Sequence, residues 1–331
     1  MKVVITGGTG FVGLALARSL LNRDSIAGPD GVASPIDRMV LFDAVVPGTP
    51  PAGLDHRVSV LAGDIADRDT VMSLIDQDDI AVFHLASVVS GGGEKDFDLA
   101  LRVNLDGARN VFEACRRLGS GPRVVFASSL AVFGGAAMPK TVGDMVKQLP
   151  QTSYGATKAI GELLINDYTR KGFLDGRAAR LPTVIIRPGK PNLALSGFAS
   201  GIFREPLAGV DFVCPVRPET ILPVIGARAA VAGFVALYQA AGAALGEDRA
   251  VTLPSLAVTV SDMLASLERV GGSGARHRVG FKLDPLAQKV CDGWPHATDH
   301  ARALALGLAS DRALDDIVRQ YLEDYADTTT G

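Results

Sequence analysis

A serine, a tyrosine and a lysine stand where they could transfer a proton together. Tyr154 and Lys158 are four residues apart in a segment of helical character, residues 153–167, which places them on one face of a helix. A tyrosine phenol ordinarily has a pKa of about 10, and a lysine ammonium beside it would favour the phenolate. Ser129 could donate a hydrogen bond to the reacting oxygen. The three residues predict a site in which Tyr154 accepts the proton of a substrate hydroxyl; two surface residues of a helix would share the Tyr–Lys spacing by chance.

A glycine-rich turn near the N-terminus predicts a nucleotide site. Residues 3–6 are apolar and β-branched, glycines follow at positions 7, 8, 10 and 13, and residues 11–22 have helical periodicity. A strand, a glycine turn and a helix form the first half of a mononucleotide-binding unit, in which the helix N-terminus offers N–H groups to a pyrophosphate. An ordinary glycine-rich turn is the alternative, but the flanking strand and helix favour the nucleotide. The predicted contacts of the turn are Gly7, Thr9, Gly10, Phe11 and Val12.

The end of the second strand predicts which dinucleotide binds. Asp43 follows the apolar run 39–42 and could accept hydrogen bonds from the adenosine ribose hydroxyls. Because its charge would repel a 2′-phosphate, we expect NAD rather than NADP, with a plain strand-end aspartate as the alternative. The positive nicotinamide ring would then also favour the Tyr154 phenolate.

Residues after the next two strands are further candidates for cofactor contacts. Asp64 could bind the adenine amino group with Ile65 on the ring face, or Asp64 could cap a helix that begins near residue 67. The strand 80–84 is followed by Leu85, Ala86 and Ser87, whose small side chains leave room for a ligand. His84 itself is expected to be a core histidine.

Three other segments flank the predicted site. Asn104 lies within one long helical stretch, 94–118, and is a candidate cofactor contact that needs a partner when buried. Glycines 91–93 are expected to be flexible, and residues 141–149 to form a short helix or lid.

The order of elements predicts an α/β fold with a Rossmann-type doubly wound parallel sheet. Residues 1–188 would form the NAD-binding domain, with a surface loop at 23–38 and a sixth strand at 182–187, and residues 189–331 a smaller α+β substrate-binding region. A strand at 250–253 is expected to rejoin the first sheet. Helices are predicted at 198–207, 227–244, 261–270, 298–306 and 314–325.

Composition restricts the class of protein. The chain has 331 residues, 47% hydrophobic and 21% charged, with a net charge of −3, so we expect neither nucleic acid nor membrane as a partner. The three cysteines are far apart, which favours a reducing, cytoplasmic location, and no metal site is expected. The apolar run 229–245 is too short to span a bilayer and predicts a buried helix.

These motifs together resemble an extended short-chain dehydrogenase/reductase, and the resemblance runs through Arg187 and Pro188. It implies that Ser129, rather than its neighbour Ser128, is the catalytic serine, because Val132, Phe133 and Gly134 follow at the family's spacing. It also implies contacts of Lys158 and Pro188 with NAD, and a homodimer built on the helices at 94–118 and 153–171.

The run after residue 187 departs from that of nucleotide-sugar enzymes and resembles members that oxidise small sugar acids. This implies NAD-dependent oxidation of the C2 hydroxyl of a four-carbon sugar acid. The carboxylate would need a cation, for which Lys190 is the first candidate and Arg204 and Arg217 are others. Ser128 and Asn192 are further candidate substrate contacts. A nucleotide-sugar epimerase or dehydratase that retains its NAD, and a redox-sensing regulator without chemistry, are the alternatives.

Overall fold

A computed structural model of the protein describes residues 1–28, 31–49, 51–191 and 193–325. Its strands are β1 (Lys2–Thr6), β2 (Ser25–Ala27), β3 (Ala33–Pro35), β4 (Arg38–Asp43), β5 (Val58–Ala62), β6 (Ile80–His84), β7 (Arg123–Ser129), β8 (Thr141–Val142), β9 (Asp175–Leu181), β10 (Thr183–Ile185), β11 (Phe212–Cys214), β12 (Ile221–Gly226), β13 (Ala250–Thr252), β14 (Leu256–Thr259), β15 (Val279–Phe281) and β16 (Ala297–Thr298). Its α-helices are α1 (Phe11–Leu21), α2 (Arg68–Leu74), α3 (Ser90–Lys95), α4 (Phe97–Ala100), α5 (Gly107–Leu118), α6 (Ser153–Arg170), α7 (Phe198–Leu207), α8 (Ala227–Gln239), α9 (Gly242–Leu245), α10 (Val260–His277), α11 (Pro285–Asp292), α12 (Ala301–Ala305) and α13 (Leu314–Tyr325).

The main sheet is parallel, with the strand order β13-β9-β7-β6-β1-β4-β5. Its central strands are largely apolar on both faces, which is expected when helices cover both sides. One core lies against α1 and α8, and a second lies against α2, α5 and α6. The predicted doubly wound fold is therefore confirmed, and the carboxyl ends of the strands meet at one edge.

A third core lies beyond that edge. A small sheet of order β10-β12-β14 packs with α7, α10 and α13 around buried residues such as Phe203, Leu222 and Val318. The strand β13 belongs to the main sheet, where it pairs with β9. The C-terminal half of the chain thus contributes both to the main sheet and to the core around the small sheet.

The predicted sixth strand is wrong. The main sheet uses β9, whereas β10, in the predicted range 182–187, pairs with β12 in the second sheet. The strand β9 was missed because Arg177 and Arg180 interrupt its apolar pattern, although both are buried and paired with acids.

The predicted long helix at 94–118 is broken. Asp96 has an extended backbone, and its carboxylate accepts a hydrogen bond from the Leu99 amide at 2.9 Å, which starts α4 anew. The helix then widens into a π-helical turn, Leu101–Asp106, around buried Asn104.

Three loop predictions also need correction. Glycines 91–93 are buried in α3 rather than flexible, and a Cβ on Gly91 would lie 2.1 Å from the Leu193 carbonyl oxygen. Residues 141–149 form no helix; β8 pairs with β16, and the Asp144 carboxylate accepts from the Thr252 amide at 2.8 Å. The predicted loop 23–38 contains the antiparallel pair β2 and β3. Within the described ranges, no helix is both long and apolar enough to cross a membrane.

Candidate active site

A cavity of about 420 Å³ lies at the carboxyl edge of the main sheet, between this sheet and the small sheet with its helices. Its lining includes the glycine turn before α1, Ser129 and Tyr154, and Arg187 and Arg204 from the second half of the chain. One cavity is therefore lined by the N-terminal turn, by Ser129 and Tyr154, and by residues that pack with the small sheet.

The glycine turn is shaped for a phosphate group. Gly7 has φ of 68°, and a Cβ there would lie 2.8 Å from the Ala86 nitrogen. A Cβ on Gly13 would lie 2.4 Å from the Gly7 carbonyl oxygen, so the helix packs closely only with glycine. Gly10 caps α1 without a side-chain hydrogen bond, which leaves the helix N–H groups for a ligand. Of the predicted contacts, those that line the cavity are Gly7, Gly10, Phe11, Val12 and Leu85.

Asp43 is held beside this turn. Its carboxylate accepts hydrogen bonds from the Thr9 amide at 3.1 Å and from the Ala44 amide at 2.8 Å. The Thr9 hydroxyl donates to the Val45 carbonyl at 2.9 Å. Asp43 has no basic partner among the described residues. Its remaining acceptor capacity suits two ribose hydroxyls.

Asp64 and Ile65 have different surroundings. The helix cap is Asp67, which accepts from the Asp69 amide at 3.0 Å, so the alternative of Asp64 as the cap is wrong. The Ala66 amide and the paired Arg102 guanidinium hold the pKa of Asp64 below its ordinary value. Ile65 is 5% exposed and packs in the core.

Asn104 connects the segment after β6 to α6. Its Oδ1 accepts from the Val88 amide at 2.7 Å, and its Nδ2 donates to the Val88 carbonyl at 3.1 Å and to the Thr157 hydroxyl at 3.3 Å. Ala86 N donates to the Thr6 hydroxyl at 3.2 Å, and Ser87 Oγ to the Val88 carbonyl at 3.3 Å. Because these partners occupy Asn104, its geometry favours positioning the loop over touching a cofactor.

The structure brings Ser129, Tyr154 and Lys158 together. The Thr152 hydroxyl accepts from the Gly155 amide at 3.0 Å and starts α6, which places Tyr154 in the first turn. Ser129 and Tyr154 both line the cavity, and the Ser129 hydroxyl is close enough to Tyr154 to act on its ionisation. Lys158 Nζ lies 5.5 Å from the centre of the Tyr154 ring and 4.8 Å from that of Phe126.

The ionisation of this group differs from the expectation. Burial raises the pKa of Tyr154, and the nearby Ser129 hydroxyl, which favours the phenolate, only partly opposes this. Burial also lowers the pKa of Lys158 to about 7, against the opposing charge of Glu162. The chain's own residues therefore keep Tyr154 a phenol, and a nearby positive charge must come from the bound cofactor to favour the phenolate.

His84 has no accessible surface for catalysis. It is 1% exposed, lies 2.6 Å from the Thr6 hydroxyl through Nδ1 and stacks on Phe126. Burial, together with the charge of Lys158, lowers the pKa of His84 to about 3. It is a neutral core histidine.

Ser128 does not reach the cavity. Its side chain is fully buried and its hydroxyl donates to the Glu162 carboxylate. Glu162 in turn accepts from Arg180, with Nη2 at 2.8 Å. The structure places this predicted substrate contact in the core, because alternate strand residues point to opposite faces.

The candidate cations differ in their position relative to the cavity. Arg204 lines it and donates to the Arg187 carbonyl at 2.9 Å. Lys190 is exposed and, like Pro188, is not among the cavity-lining residues. Arg217 pairs with Asp292 at 3.0 Å on the surface. The predicted substrate contact Asn192 lies outside the described residues.

Arg187 and Trp294 are among the cavity residues that the sequence did not predict as site residues. Arg187 ends an apolar run and was predicted as a strand end and as part of the family resemblance, but not as a substrate contact. Trp294 reaches the cavity from the end of α11, more than a hundred residues later in the chain, so only the fold could place it there. Among the described residues, no group of three or more His, Cys, Asp or Glu side chains could hold a metal ion.

Comparison with known proteins matches this architecture. The model of the NAD dependent epimerase/dehydratase family matches residues 3–211. D-erythronate dehydrogenase from Cupriavidus necator is 51% identical over 325 residues, 98% of each chain. D-erythronate dehydrogenase from Haemophilus influenzae is 41% identical over 323 residues, 98% of this chain and 99% of its own. The crystal structure of the nucleoside-diphosphate-sugar epimerase from Agrobacterium tumefaciens superposes with a TM-score of 0.91 at 36% identity, covering 99% of this chain and 95% of that one.

Proposed function

Since the chain belongs to the NAD dependent epimerase/dehydratase family, we propose that it oxidises the C2 hydroxyl of D-erythronate to the 2-keto acid with NAD. The predicted resemblance, the NAD cofactor and the oxidoreductase class are confirmed by the family match and by the named relatives. The substrate rests on two dehydrogenases of one name, 51% and 41% identical over nearly the full chain.

The placement of Ser129 and Tyr154 carries the catalytic part of the proposal, because both residues line the cavity that the glycine turn also lines. The residues that would hold NAD are the turn from Gly7 to Val12 and the Asp43 carboxylate, with Lys158 near the nicotinamide ribose. When bound, NAD supplies the hydride acceptor and a positive charge.

The chain's own residues then handle the proton. Ser129 donates a hydrogen bond to the substrate C2 oxygen and orients it toward Tyr154. Tyr154 Oη accepts the hydroxyl proton as the C2 hydrogen leaves with its electron pair and the C2–O bond becomes a carbonyl. Lys158 stabilises the phenolate while its ammonium is protonated.

The test is the formation of NADH, read as absorbance, with four- to six-carbon aldonates. We expect D-erythronate to be oxidised with the highest kcat/KM of the panel. A chain that converts a nucleotide sugar without net NADH formation would instead be an epimerase or dehydratase, since the same three residues serve such reactions.

Tyr154→Phe tests the proton acceptor. The change should lower kcat by about 10²–10⁴-fold and leave NADH affinity nearly unchanged, because only one oxygen is lost. Tyr168→Phe, on the same helix with its hydroxyl bound to Glu113, is the matched control and should keep turnover. A loss below tenfold for Tyr154→Phe would contradict the assigned role.

We also propose a homodimer that uses α4 and α6. Phe97, Ile160 and Leu163 are apolar and between 38% and 63% exposed, which is the kind of surface that a second copy covers. Size-exclusion chromatography should give a two-chain mass, and Leu163→Glu should shift it to one chain. Elution of the wild type as a single chain at micromolar concentration would contradict the dimer.

A further inference from the structure

The Arg187 side chain is a cation without a counter-ion. Its guanidinium makes no hydrogen bond or ion pair with the described residues, and its buried Nη1 has no partner. Yet the residue lines the cavity that contains Ser129 and Tyr154. A buried polar group without a partner is costly, so this one is expected to be satisfied by something that enters the cavity.

The backbone of Arg187 is fixed on both sides by α7. Its amide donates to the Ser200 hydroxyl at 3.1 Å, and its carbonyl accepts from Arg204 Nη1 at 2.9 Å. The root of the side chain is therefore held in place by neighbours that also line the cavity. Such preorganisation lowers the entropic cost of binding a ligand.

The charges around Arg187 favour an anion. Arg204 pairs with Glu205 at 2.5 Å, whereas Arg187 has no acid partner among the described residues, so the two arginines and one carboxylate keep one net positive charge. Burial, together with the charge of Arg204, lowers the pKa of Arg187. A carboxylate beside Arg187 would remove both penalties.

We propose that Arg187, supported by Arg204, binds the substrate carboxylate and so selects sugar acids over uncharged polyols. The inference rests on the proposed function, whose substrate holds its carboxylate one bond from the reacting C2. The planar guanidinium can bind both carboxylate oxygens, which fixes the face of C2 that meets the nicotinamide. Lys190, the first candidate from the sequence, is exposed and is not among the cavity-lining residues.

The first test compares Arg187→Met with Lys190→Met in steady-state kinetics. A charge-assisted hydrogen bond of this kind is worth about ten- to a hundredfold in affinity. Arg187→Met should raise KM for D-erythronate by that factor, change kcat little and leave NAD affinity unchanged. Lys190→Met should leave KM unchanged. Arg187→Lys, which keeps the charge but loses the fork, should lie between wild type and Arg187→Met.

The second test measures binding without turnover. Trp294 is the chain's single tryptophan and lines the same cavity, so its fluorescence should report occupancy. In a Tyr154→Phe background with NAD present, D-erythronate should quench or enhance this signal saturably. Adding Arg187→Met should raise the Kd about ten- to a hundredfold, whereas erythritol, which lacks the carboxylate, should be insensitive to the change.

The outcomes separate the two proposals. If no aldonate is oxidised but binding still depends on Arg187, the proposed function fails and the carboxylate site stands. If D-erythronate is oxidised and Arg187→Met only lowers the melting temperature, Arg187 has a structural role and the inference is wrong. A raised KM in Lys190→Met but not in Arg187→Met would also overturn it.

Discussion

Arg180 and Arg187 are seven residues apart in the chain and have opposite surroundings. Arg180 is 3% exposed, and its Nε and Nη2 donate to Glu162 while its Nη1 donates to the Asp144 carbonyl at 3.0 Å. The guanidinium also lies over the Phe133 ring at 5.2 Å. Arg187, in contrast, makes no side-chain hydrogen bond with the described residues.

The difference separates a structural charge from a functional one. Glu162 belongs to the same helix as Tyr154 and Lys158, so the pair with Arg180 joins that helix to β9 and keeps the two proposed catalytic residues beside the sheet. A charge whose partners are all protein groups contributes to architecture. A charge that lines a cavity and lacks a partner is available to a ligand.

The largest effect that the comparison predicts is on stability. Arg180→Met should lower the free energy of unfolding by about 3–5 kcal/mol, because it leaves the Glu162 carboxylate buried and unpaired. Chemical denaturation measures this, with Arg187→Met as the matched control, which should cost much less. The double variant Arg180→Met/Glu162→Met should recover much of the loss. Equal destabilisation by the two arginine variants would contradict the distinction between a structural Arg180 and a ligand-binding Arg187.

Lys158 is a third buried cation and predicts a pH effect. Its pKa in the fold is about 7, below the ordinary 10.5, so the unfolded chain binds the additional proton between these pH values. The free energy of unfolding of the wild type, relative to Lys158→Met, should therefore rise with pH above about 7, by up to about 1.4 kcal/mol per pH unit. Denaturation from pH 7 to 9 measures this. A constant difference across that range would show that Lys158 keeps its ordinary pKa. Lys190→Met is the control, and its free energy of unfolding should have the same pH dependence as that of the wild type.

Asp43, beside the glycine turn, is the opposite case, an acid without a basic partner among the described residues. Asp43→Ala should weaken NAD binding by about tenfold, the lower end for one charged hydrogen bond, and should strengthen NADP binding by removing a repulsive charge. Equilibrium binding of both dinucleotides measures the effect. Tighter binding of NADP than of NAD by the wild type would mean that Asp43 does not face the ribose.

The best predictions from the sequence were for elements in which the periodicity of apolar residues is not interrupted. The strand Ile80–His84 and the helices Phe198–Leu207 and Leu314–Tyr325 have the predicted bounds. It failed at β9, where Arg177 is fully buried against Asp175 and carbonyl groups. Burial of an arginine depends on partners distant in sequence, so local hydropathy does not reveal it.

The site shows the same division. Local motifs placed Ser129, Tyr154 and Lys158 together, since a strand end and a helical spacing of four are sequence-local features. The choice between Lys190 and Arg187 depends on which side chain a turn directs inward, and the cavity wall at Trp294 comes from a distant helix end. Those contacts are set by tertiary packing.

The central claim is that C2 of a sugar acid gives its hydride to NAD. The most direct measurement uses D-erythronate carrying deuterium at C2 and follows the label by mass spectrometry. We expect one deuterium in each reduced nicotinamide, with an equal amount of the 2-keto acid. Reduced cofactor without the label, or a rearranged substrate with NAD unchanged, would contradict it.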